Sequence, residues 1–239
     1  MLRHDMRAAP DRLVPLAAIN GQYCSADRRW CVDLSAPQDQ DAQALPIVRA
    51  GDAAPPMPPP SETFADETYA VWPRLILLED GSFLAGVEAR TSTAYSGGGG
   101  SATELRLFRV TPDGQAVATP VLRVPVAASL MIRACFGERD MRNRRGACHD
   151  EYGFSGNIEL AGDATNGLPA LAYVSEAYAF PRGVSRMADS SANPRLKKSD
   201  LVRERDPECS FTRRFRFDAA TGSYQPDAPL PECSEYTVP

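Results

Sequence analysis

An all-β fold, a sandwich, barrel or small propeller of roughly ten strands with short helices, is predicted by three features of this 239-residue chain. Short apolar runs recur between Asp-Gly and Gly-rich turns, and alternation fits them better than helical spacing. Six cysteines fall into three close pairs: Cys24 with Cys31, Cys135 with Cys148, and Cys209 with Cys233. No repeat of constant length stands out, which weighs against a propeller.

The elements follow in chain order. Residues 1–19 read as a weakly ordered lead-in, and 20–239 as a single β-rich domain. Tyr23-Cys24 and the run from Trp30 to Leu34 form two strands around a turn at 25–29, which sets the two sulfurs across a hairpin. A Pro-rich connector near 51–62, centred on Pro55-Pro56-Met57-Pro58-Pro59-Pro60, reads as stiff polyproline II. Strands at 69–72, 74–78 and 83–89 flank Asp80-Gly81, and strands at 104–110 and 116–124 flank Asp113-Gly114. Asp-Gly between apolar runs signals a hairpin because glycine accepts the positive φ such turns need. Further strands are expected at 129–136, 154–160 and 168–179, with a short helix at 196–205. A last hairpin joins 211–217 to Ser223-Tyr224; its alternation sets Phe211, Phe215 and Phe217 on one face.

Composition bounds the function. Hydrophobic residues make up 43% and charged residues 24%, so the chain can build a core and its disulfides are reinforcement. A net charge of −5 gives no global attraction to nucleic acid, and no apolar run reaches the roughly 18 residues of a membrane-spanning helix. The cysteines are too widely spaced for a zinc site, and only His4 and His149 accompany them. Three local disulfides therefore imply an oxidising compartment, periplasmic or secreted. Leu13 to Ile19, broken by Pro15, does not make a signal-peptide core, so export rests on the cysteines.

Three segments are candidate sites. Gly97-Gly98-Gly99-Gly100 lacks the Gly-Lys-Ser/Thr ending of a phosphate loop and reads as a flexible hairpin loop. His149-Asp150-Glu151 is the one cluster with acid–base or metal potential, although neighbours in a strand face opposite ways. The same segment has an outline of a calcium loop, with Tyr152 and Phe154 standing where oxygen ligands belong. No cofactor is expected. Arg139, Arg142, Arg144 and Arg145, inside the Cys135–Cys148 loop, form a candidate surface for an acidic protein or envelope polymer, or else pair with nearby carboxylates.

The tail Arg216-Phe217-Asp218-Ala219-Ala220-Thr221-Gly222-Ser223-Tyr224, together with the Cys24 to Cys31 spacing, resembles small exported β-rich proteins of proteobacteria, and among those of known role the periplasmic lysozyme inhibitors. The resemblance covers hairpin signatures, and no inhibitory loop transfers residue by residue. The expected function is an exported, non-enzymatic binding protein with a protein or cell-envelope ligand, inhibitor-like in action. Two alternatives stay open: a hydrolase using His149 and nearby carboxylates, and an accessory subunit of an envelope assembly.

Overall fold

A computed structural model describes residues 12–19, 22–35, 37, 43–51, 67–165, 167–188 and 193–239. Most of the proposed lead-in and the Pro-rich connector lie outside them, as does His4. The fold is all-β, with thirteen antiparallel strands in one open sheet. They are β1 (Leu13–Ile19), β2 (Gln22–Ser25), β3 (Trp30–Leu34), β4 (Pro46–Ala50), β5 (Glu67–Leu77), β6 (Phe83–Tyr95), β7 (Gly98–Val110), β8 (Leu122–Arg133), β9 (His149–Thr165), β10 (Leu168–Phe180), β11 (Glu204–Arg205), β12 (Thr212–Asp218) and β13 (Ser223–Pro226). Their order is β13-β12-β10-β9-β8-β7-β6-β5-β1-β2-β3-β4, with β11 on β10. Two short α-helices, α1 (Glu138–Asn143) and α2 (Ser234–Thr237), and one 3-10 turn complete the described elements.

The chain divides into two compact units, where the sequence predicts one domain over 20–239. The first comprises Met1–Glu62, Ala70–Val87 and Leu107–Val121. Its core gathers Leu16, Val32, Val48, Leu75, Phe83 and Val110, with Trp30 edge-on to Phe83 at 4.9 Å. Leu13–Ile19 belongs to this unit as strand β1, a correction to the lead-in reading. Backbone pairing on both sides, to β2 and to β5, secures a segment whose own apolar run is short. The edge strand β4 donates its Val48 N–H to the Gly114 carbonyl at 3.1 Å, so part of that edge is covered. Gly114 sits at φ 89° and backs onto the Val48 carbonyl, which requires a residue without a side chain there.

The second unit holds Thr63–Tyr69, Glu88–Arg106 and Leu122–Pro239. Its centre is the long β9–β10 hairpin, flanked by β8. Tyr173 and Tyr152 are almost wholly buried, with Leu130, Phe154, Ile158, Leu171 and Phe215. Phe211 and Phe215 both meet the Tyr173 ring edge-on, at 5.8 and 6.3 Å. That agrees with the alternation in the sequence. The outer edge of β10 is covered along its length. β12 pairs with residues 171–174, the Ser175 N–H reaches the Phe211 carbonyl, the Ala177 N–H reaches Ser210 Oγ, and β11 takes Tyr178 and Ala179.

Other departures have local causes. The helix expected at 196–205 is one 3-10 turn at Lys198–Asp200 followed by β11. The Asp200 carboxylate accepts from the Lys197 N–H at 2.7 Å and closes that turn, and β10 then draws the chain out straight. After Asp113-Gly114 the strand expected from 116 is reduced to an isolated bridge, Val110 to Ala116, and single N–H bonds from Val117 and Val121 to the Arg109 and Leu107 carbonyls, and β8 begins at Leu122, beyond Pro120. Gly97 to Gly100 is not a loose loop: β7 starts at Gly98. A Cβ on Gly100 would lie 2.7 Å from the Ser129 carbonyl, and one on Gly98 would collide with Met131. Glycine is needed there for close strand approach, not for mobility.

All three expected disulfides form, and there are no free cysteines among the described residues. Cys24 stands directly opposite Cys31 in the β2–β3 ladder, Cα atoms 4.1 Å apart, as the hairpin requires. Peptide mapping without reductant is expected to recover these three pairs and no others. Six free thiols in protein taken from its native compartment would remove the basis for export.

Candidate functional site

The candidate site lies in the second unit, around the Cys135–Cys148 loop. Its base is the end of the β8–β9 ladder, where Arg133 stands opposite His149 and the Ala134 N–H donates to the Cys148 carbonyl at 2.9 Å. The disulfide closes the loop just beyond. Inside it, α1 is stopped by Arg145 and Gly146 in the left-handed region, at φ 53° and 85°. The Phe136 N–H donates to the Asp140 carboxylate at 2.9 Å, and the Leu196 N–H reaches the Asn143 carbonyl, also at 2.9 Å.

The structure sorts the four candidate arginines. Arg139 is exposed, and no hydrogen bond or ion pair of its side chain is seen among the described residues. Arg142 is exposed and pairs with Glu138 one helical turn away, at 3.2 Å. Arg145 remains exposed while its Nε donates to the Leu196 carbonyl at 2.9 Å. Arg144 is a correction. It is 5% exposed, donates through Nε to the Ala147 carbonyl at 2.8 Å, and forms an ion pair with buried Asp150. It holds the loop together and offers nothing to a ligand.

The His149-Asp150-Glu151 cluster divides as alternation demands. Asp150 turns inward on the side of Tyr152 and is bound to Arg144, whereas His149 is exposed. Glu151 shares the outer side with His149 and lies 3.8 Å from Arg203, whose guanidinium covers the Tyr178 ring at 4.6 Å. Asp150 and His149 therefore make no acid–base pair. Tyr152 and Phe154 are buried, and among the described residues no group of three or more His, Cys, Asp or Glu side chains converges in a way that could hold a metal. Burial, reinforced by the nearby Asp150 charge, pushes the Tyr152 hydroxyl well above its ordinary range, so it stays neutral.

Two clefts flank His149 and Cys148. One, of about 300 Å³, is lined by Arg133, Cys135, Phe136, Glu138, Met141 and His149. The other, of about 270 Å³, lies against Glu151, Phe180 and Leu201. Phe136 is 70% exposed and Met141 53%, a high cost in apolar surface for one short loop. Arg133 donates its Nε to the Cys135 carbonyl at 2.8 Å and lays its guanidinium 5.3 Å from the Phe136 ring centre. Sequence reasoning grouped Arg133 with the other arginines of this stretch and missed Phe136 and Met141. The available signal was an aromatic beside a cysteine in a loop too short to bury it.

Comparison of this chain with protein-family models, curated proteins and solved structures returns no match.

Proposed function

We propose that this chain is an extracytoplasmic binding protein, periplasmic or secreted, which presents the 135–148 loop to a protein or cell-envelope ligand. The observation that carries this reading is the exposed Phe136, backed by Arg133 and Met141 on a loop closed by a disulfide. Aromatic, Met and Arg side chains are enriched in the energetic centres of interfaces. A loop closed and cross-bonded in advance loses little further freedom on association. Residues 133–148 carry five arginines against two carboxylates, on a chain of net charge −5. With Arg144 neutralised by Asp150, the remaining excess favours an acidic partner. Binding is favoured over hydrolysis because Asp150 is committed to the interior and leaves His149 without it.

The test compares wild type with Phe136→Ala/Arg139→Ser as immobilised baits for envelope extract. Both residues are exposed and outside the core, so the variant is expected to keep the wild-type melting temperature while losing the captured partner. Equal capture by both baits would place the functional face elsewhere.

A further inference from the structure

The cleft between Arg133 and His149 has a chemistry more specific than an exposed loop. Part of its lining is apolar: the Phe136 ring, the Met141 side chain and the Cys135–Cys148 disulfide. The rest offers donors from Arg133 and His149, which stand opposite each other in the ladder. Arg133 is already oriented by the Cys135 carbonyl and the Phe136 ring. Among the described residues its two terminal nitrogens have no hydrogen-bond partner, so a planar fork is left for an acceptor. Guanidinium forks match carboxylates in geometry as well as charge. Glu138, the one acid on the lining, is paired with Arg142 and highly exposed, and does not occupy that fork.

We propose that this cleft captures the free C-terminal residue of a partner polypeptide, its α-carboxylate on Arg133 and His149 and its apolar side chain against Phe136 and Met141. This rests on the binding reading above. The Arg133 guanidinium lies 5.3 Å from the Phe136 ring centre, so a carboxylate on the one and an apolar group on the other arrive within the span of about one residue. An internal Asp or Glu meets that requirement poorly, since in an extended chain its apolar neighbour points to the opposite side. At a C-terminus the carboxylate and the side chain share one Cα, so both reach the same cleft. Capture of terminal carboxylates is an established mode of peptide recognition.

The probes are N-acetyl-L-phenylalanine and its C-terminal amide, titrated into the full chain while backbone amide shifts are followed by NMR. The acid is expected to bind in roughly the millimolar range, with shifts concentrated at residues 133–149, and the amide at least about tenfold more weakly. Arg133→Gln, confirmed folded by its melting temperature, is expected to reduce acid binding to the level of the amide. Equal binding of acid and amide, or no saturable shifts with either, overturns the proposal. If Arg133→Gln unfolds, the acid–amide comparison on wild type decides alone. Loss of partner capture by Phe136→Ala/Arg139→Ser without any binding of the acid would sink terminal-carboxylate recognition and leave the binding reading standing.

Discussion

Asp150→Ala is expected to destabilise the second unit by about 3–5 kcal/mol, read as a lowered urea midpoint with an unchanged slope. The carboxylate is 3% exposed and its partner Arg144 6%, so the substitution leaves a guanidinium in the interior without its counter-charge. The Ala147 carbonyl, which accepts from the Arg144 Nε at 2.8 Å, is uncharged and does not replace the carboxylate. The double variant Arg144→Met/Asp150→Ala is expected to recover much of the loss, because no buried charge is then left uncompensated. A double variant as unstable as the single one would mean that packing, not charge, sets the cost.

Gly156→Val is the second large effect, about 3 kcal/mol. A Cβ at this position would come within 2.5 Å of the Pro125 carbonyl and 2.8 Å of the Tyr173 ring. That ring crosses β9 over Gly156, and its hydroxyl donates to the same Pro125 carbonyl at 2.7 Å. A larger residue must displace a buried tyrosine and cut that hydrogen bond, adding roughly 1 kcal/mol to an overpacking cost of about 1–3 kcal/mol. Tyr173→Phe isolates the smaller part. It is expected to cost roughly 1 kcal/mol, and a larger value would assign most of the effect to the hydroxyl. Thermal melts followed by near-ultraviolet circular dichroism separate the two variants.

Much of the architecture was legible because its determinants are local. Asp80-Gly81 and Asp113-Gly114 mark turns where the structure has them, and each cysteine found a partner close in the chain. What escaped depends on residues distant in sequence or across a strand. Leu13–Ile19 is a strand because β5, some sixty residues on, receives it. The glycine run at 97–100 is explained by the Met131 and Ser129 carbonyls behind it. Arg144 looks like Arg139 and Arg142 in the sequence. A clue to its fate was present: Asp150 alternates with Tyr152 and Phe154, which set it on the inner side of β9 and called for a cation to meet it there. The disulfide loop stood out in the sequence for its arginines, whereas its exposed apolar residues carry the case for binding more than those arginines do.

The strip that covers β10 also has a consequence in time. β9 and β10 are joined within residues 165–168, so their hairpin closes with little loss of chain entropy and is expected to form early. The backbone that completes the outer side of β10 comes from residues 204–215, a long way further along the polypeptide. During synthesis, β10 therefore presents unpaired peptide groups and a side of Tyr173 until that stretch emerges. Such a bare strand is an invitation to pair with the wrong chain. A chaperone that shields it in this interval would raise the yield of folded protein, whereas the finished molecule would have no further need of it.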